Sequence, residues 1–179
     1  KNSEGKEMRE NFCIRSGKAK GNKVYYVKDG KQIPLPGYAS ANSLCVAVTG
    51  KSLAECMKPA DKGGTIEKKT INIWNNELKK EAPTERPVVM ALVNKSVKVA
   101  VHQTIEDKTA KSTNGTYEPT GETKTINECK FFGSVESGKT AEEITKDEAA
   151  TMFDRWAVKN TGTVIDKSSK DKPASAAAI

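Results

Sequence analysis

The amino-acid sequence predicts a mainly β domain: a small barrel or sandwich of antiparallel strands, with extra hairpins and one C-terminal helix. Three observations lead there. Short apolar runs bounded by Gly, Pro, Asn and Asp recur from Phe12 to Phe132, and they do not alternate with helices, which argues against a doubly wound sheet. The run after Lys95 alternates residue by residue: Val97, Val99, Val101 and Ile105 share one face, and Lys98, Ala100, His102 and Thr104 share the other. Late in the chain, Thr140-Ala-Glu-Glu143 is a capping box that opens a helix to about Lys159.

The elements follow in order. Residues 1–10 are charged and aperiodic, and read as a flexible arm. Phe12-Cys-Ile14 reads as a short strand, and Ser16–Lys23 as a basic glycine loop. Val24–Lys28 and Lys31–Leu35 flank Asp29-Gly30, a favoured two-residue hairpin turn. Pro34 and Pro36 make the second arm an edge. Leu44–Val48 reads as a compact strand, and Ser52–Met57 as a helical turn or a strand end. Thr65–Asn75 reads as a strand, and 75–86 as a connection with a short helix at Glu77–Lys80. The stretch Val88–Phe132 is then a long strand, a long basic finger at Thr109–Glu122 and a return strand at Lys124–Phe132. Ile144, Ala149, Met152, Phe153 and Trp156 form the apolar stripe of the helix, expected at 140–159. Residues 11–159 therefore form one domain, and 160–179 a low-complexity tail.

Composition narrows the function. The chain has 179 residues, enough for one ordinary core, and a formal net charge of +7, which suits a polyanionic partner such as nucleic acid. No apolar run approaches the roughly 20 residues of a membrane helix. Cys13, Cys45, Cys56 and Cys129 form no Cys-x-x-Cys pair, and His102 is the single histidine, so no usual zinc set can be assembled. Each cysteine sits in an apolar-rich segment, which favours reduced thiols and a cytoplasmic location; a Cys45–Cys56 disulfide is the alternative.

Gly133-Ser-Val-Glu-Ser-Gly138-Lys139-Thr140 fits the phosphate-binding loop pattern letter for letter. Too little chain follows it for the further parallel strands that such a fold needs. The motif therefore reads as a turn whose Thr140 caps the next helix, with Lys139 able to meet a single backbone phosphate. No nucleophile elbow or other catalytic signature occurs, so no enzyme, cofactor or metal is expected.

Thr70-Ile-Asn-Ile-Trp-Asn-Asn-Glu-Leu-Lys, Val93–Lys108 with its Lys95-Ser96 start, the finger Thr109–Glu122 and the strand Thr123–Phe132 together resemble the oligonucleotide-binding barrel of single-stranded DNA-binding proteins, in a bacteriophage form. The resemblance implies a five-stranded OB-fold barrel. It also implies sequence-tolerant binding of single-stranded DNA, or of RNA, in replication, recombination or repair. Other replication or recombination proteins and a second copy of the chain are the further partners it implies, in a host cytoplasm if the chain is phage-encoded. The family's acidic, aromatic-ended tail is not matched by Lys-Pro-Ala-Ser-Ala-Ala-Ala-Ile.

Single-strand binding needs a lysine-lined groove and aromatic faces for bases to stack on. The candidate residues are Trp74 with Lys68 and Lys69, Tyr25 or Tyr26, Lys98 and His102 on the wet face of the long strand, and Lys108, Lys111, Tyr117 and Lys124 in the finger. Phe131 and Phe132 are assigned to the core. The competing reading is a structural or interaction protein with a β-sandwich, such as a virion component or adaptor.

Overall fold

A computed structural model describes residues 10–169. The chain is mainly β, with 40% strand against 26% helix, and several antiparallel sheets. No sheet closes into a barrel among the described residues. The strands instead form separate hairpins. β1 (Tyr25–Lys28) pairs with β2 (Lys31–Pro34), and β3 (Ile66–Asn75) with β4 (Lys80–Val89). A three-stranded sheet has β5 (Lys98–Lys111) between β6 (Tyr117–Gly133) and a short parallel β7 (Val164–Asp166). The described residues group into two compact units, one of 10–98 with Phe131–Thr151, the other of Val99–Lys130 with 152–169.

In the first unit, Asp29 and Gly30 both adopt positive φ, 51° and 73°, so the β1–β2 turn is the two-residue kind that matches strand twist. The chain then enters α1 (Pro36–Thr49). This helix replaces the strand expected at Leu44–Val48. Pro36 supplies a preset φ at the first helical position, and Gly50 ends the helix at φ 72°. The expected burial is kept, because Cys45, Val46 and Ala47 are all buried. α2 (Leu53–Cys56) is a single turn closed by a Ser52–Glu55 capping box. Cys45, Leu53 and Cys56 form the centre of the core, with Ile14, Tyr38, Ala41, Met57, Val89 and Leu92 around them. Phe12–Ile14 is not a strand; Phe12 instead meets Phe132 edge to face at 5.9 Å. All four thiols are free.

The connection expected at 75–86 is mostly strand. Asn75 turns the chain through its own side chain, whose Oδ1 accepts from the Glu77 and Leu78 amides. Lys79 takes a left-handed φ of 51°, and ten residues of β4 return against ten of β3. The helix expected from 140 to 159 is two helices, α3 (Ala141–Lys146) and α4 (Met152–Asn160). Asp147 adopts φ 52° and ends α3, and Glu143 bonds both to the α3 cap and to Thr151, just before α4.

The second unit inverts the parity expected for the long strand. Ala100, His102 and Thr104 are buried, whereas Val101 is exposed. The cause lies in what covers this face. His102 lies against the Trp156 ring of α4 at 5.0 Å and its Nε2 bonds Asn160 Oδ1 at 2.7 Å. β7, expected as tail, pairs beside Gln103, Thr104 and Ile105. The expected flexible arm, apart from Glu10, and the tail beyond Ser169 lie outside the described residues.

Candidate nucleic-acid interface

The residues singled out from sequence separate by unit. Lys68, Lys69 and Trp74 stand on the β3–β4 hairpin, an arm exposed along most of both faces. Trp74 is 59% exposed and shares its face with Lys68, as the alternation required. The lysines are not available as a free positive track, however. Lys68 Nζ lies 3.2 Å from Glu85 and Lys69 Nζ 2.8 Å from Glu67, and Glu81 stands directly opposite Trp74.

The finger is well formed but not basic. Ser112, Asn114 and Thr116 lock its turn through mutual side-chain bonds. Between Lys98 and Lys130 the five lysines 98, 108, 111, 124 and 130 are matched by Glu106, Asp107, Glu118, Glu122 and Glu128. Lys108 pairs with Glu122 at 2.9 Å, and Lys124 with Glu106 at 3.0 Å. Lys111 and Tyr117 remain exposed at the tip, with no ion pair to Lys111 among the described residues. Lys98 is exposed where the long strand begins. His102 is a correction: it is 9% exposed and packed, because α4 covers the face that the sequence left to solvent.

The strongest positive feature is the glycine loop before β1. Arg15, Lys18, Lys20 and Lys23 are all exposed and form no ion pair among the described residues. From Arg15 to Lys31 the chain carries six cations against the single Asp29. The loop is held in shape from within. Ser16 N donates to Lys23 O at 2.7 Å, Lys23 N donates back to Ser16 Oγ at 2.8 Å, and Ser16 Oγ donates to Lys20 O at 3.2 Å. Lys18–Lys20 form one 3-10 turn, and Gly21 exits at φ 76°. Asn22 follows in the left-handed region, which asparagine tolerates well. Lys23 Nζ then sits 5.7 Å over the Tyr25 ring.

Arg15, Lys20, Lys23 and Tyr25 line one concavity together with Leu35 and Pro36. Tyr26 alternates with Tyr25 along the strand, is 43% exposed and also touches the concavity, but has no cation over its ring among the described residues. Both halves, a basic glycine loop and a tyrosine pair, are visible in the sequence, whereas their meeting in one concavity is seen only in the fold. The joining signal was the spacing: Lys23 and Tyr25 are two residues apart, so an extended backbone puts them on one side.

The phosphate-loop pattern is occupied by the protein itself. Gly133 bridges Thr140 across a closed turn, and Lys139 pairs with Asp147 at 3.2 Å. Glu143 Oε2 accepts from the Thr140 amide at 2.8 Å and its hydroxyl at 3.0 Å, placing a carboxylate where a phosphate would go. No group of three or more His, Cys, Asp or Glu side chains is placed to hold a metal ion among the described residues. None of their helices is long and apolar enough to cross a membrane.

The chain matches no family model, no curated protein and no solved structure.

Proposed function

We propose that the chain binds single-stranded nucleic acid with little sequence preference, through Arg15, Lys18, Lys20 and Lys23 and the ring of Tyr25. The observation that carries this reading is an internally bonded loop with four exposed cations that form no ion pair among the described residues, one of which, Lys23, lies over an aromatic ring. Phosphates need cations that are not already neutralised, and bases need a face to stack on. The loop offers both within a few residues, already ordered, so little entropy is lost on binding. On the Trp74 hairpin and along the finger, Lys68, Lys69, Lys108 and Lys124 are tied to carboxylates. The likeness of Thr70–Phe132 to single-stranded DNA-binding proteins points the same way. The barrel it implies is not formed among the described residues, and DNA in preference to RNA and a role in replication, recombination or repair rest on that likeness alone.

The test is anisotropy of a labelled oligo-dT with purified protein. Tyr25→Ala should weaken binding by about 1–3 kcal/mol, the worth of one stacked base, without changing its salt dependence. Tyr26→Ala should leave affinity within a factor of two. Equal loss in both variants, or no binding by the unmodified chain at 50 mM salt, refutes the assignment.

A further inference from the structure

We propose that β3 is a dimerisation edge, pairing antiparallel with β3 of a second copy. Two prolines fix the hydrogen-bonding phase of the hairpin. Pro83 stands opposite Asn72 and Pro87 opposite Lys68. Proline has no amide hydrogen, so neither pair can be one that exchanges hydrogen bonds. The alternation of an antiparallel ladder then fixes the rest. Glu67, Lys69, Ile71 and Ile73 bond to β4, and Lys68, Thr70, Asn72 and Trp74 turn their amides and carbonyls outward. Two further bonds agree: the Thr65 carbonyl accepts from Met90 on the β4 side, and the Ile66 amide donates outward to Lys58.

The two edges of this hairpin are therefore unlike. On β4 the outward positions include Pro83 and Pro87, which blunt the edge. On β3 the outward row from Lys68 to Trp74 has no proline and no strand beside it among the described residues. A two-stranded ribbon is marginal by itself, and this one exposes Ile71 and Trp74 as well.

A second copy fits the edge by its own sequence. With Ile71 on the two-fold axis, Thr70 faces Asn72 of the other copy. Lys68 faces the Trp74 ring, a cation–π arrangement, and Lys69 lays its alkyl stem on Ile73. Glu67 faces Asn75, so no lysine opposes a lysine and no carboxylate a carboxylate. The pairing is isologous, and the proline-bearing outer edges stop it at two copies.

The experiment is sedimentation equilibrium of the full chain at tens of micromolar, joined to cysteine cross-linking. A mass of twice 19.4 kDa is expected. Asn72→Pro removes an outward amide and none of the β4 ladder, and should return the monomer mass with an unchanged circular dichroism spectrum. If that variant fails to fold, cross-linking decides. In a Cys13→Ser background, Ile71→Cys should form a disulfide-linked dimer under mild oxidation, since non-bonded antiparallel pairs hold their Cα atoms about 4.5 Å apart, within disulfide reach. Ile73→Cys, offset along the strand from its own copy, should not. A monomeric mass overturns the proposal and leaves the edge to a strand of another protein. A dimer that Ile71→Cys fails to link overturns it too.

Discussion

The sharpest test of the proposed interface is its salt dependence, because that quantity counts neutralised phosphates. Single strands lose about 0.7 of a counterion per phosphate contacted, so four cations predict a log–log slope of about −2.8. Raising salt from 50 to 200 mM should then weaken binding about 50-fold. The double variant Lys18→Ala, Lys20→Ala leaves Arg15 and Lys23, halves the slope to about −1.4 and cuts the loss to about 7-fold. Both lysines are exposed and their side chains bond to nothing among the described residues, so folding should be unaffected. The control is Lys108→Ala with Lys124→Ala, the same charge change taken from residues already paired to Glu122 and Glu106. Its slope should stay close to that of the unmodified chain. Anisotropy of labelled oligo-dT at four salt concentrations suffices. If the finger variant lowers the slope and the loop variant does not, the interface has been assigned to the wrong cations.

Other consequences concern stability. Glu143 is buried, and its two oxygens accept from Thr140 and from Thr151, the latter amide at 2.7 Å. Glu143→Ala leaves two amides without acceptors and should cost roughly 3 kcal/mol in urea denaturation, with an unchanged m-value; a cost near zero would show that water replaces the carboxylate. Lys130 first, then Lys167, holds the Glu128 carboxyl down to about 2 from 4.5. A lowered carboxyl stabilises the fold above its unfolded value and ceases to as pH falls through the folded one. The melting difference between the unmodified chain and Glu128→Gln should be steady above pH 5, small at about 1 kcal/mol or less, and gone near pH 2. A difference that ignores pH refutes the pairing. Burial, and next the neighbouring Cys56, pushes the Cys45 thiol up to about 12 from 9.0. The unfolded thiol therefore ionises first, and stability should fall between pH 9 and 12. At pH 8 a maleimide should label exposed Cys13 and spare Cys45 and Cys56 until the chain unfolds.

What could be read beforehand was local chemistry. Asp29-Gly30 and the Thr140–Glu143 box each demand a particular backbone within four residues, and both formed. What could not be read was which neighbour arrives. Along β5 the valines suggested one core face, yet α4 brings Trp156 to the other. Thr104 accepts that placement because a β-branched side chain packs well on a pleated surface, although its hydroxyl, like His102 Nδ1, finds no partner among the described residues. α1 was hidden for the opposite reason. Its Ser, Asn, Gly and β-branched residues are weak helix formers, and packing around Cys45 decides the matter.

Charge shows the same limit in a form that bears on function. A net charge of +7 is a property of the whole chain, whereas a phosphate meets one surface. The finger has as many acids as lysines, and the Trp74 hairpin ties Lys68 and Lys69 to carboxylates, so neither carries much of the excess. Between Arg15 and Lys23 it is densest, with four cations, no acid and no ion pair among the described residues. An exposed ion pair contributes little to stability, about 0–1 kcal/mol, but it removes a cation from the field that an anion meets. The paired lysines of the finger therefore add little to either property. The unpaired ones repel one another on a short loop, a cost that its Ser16 clamp offsets and that a bound polyanion would relieve.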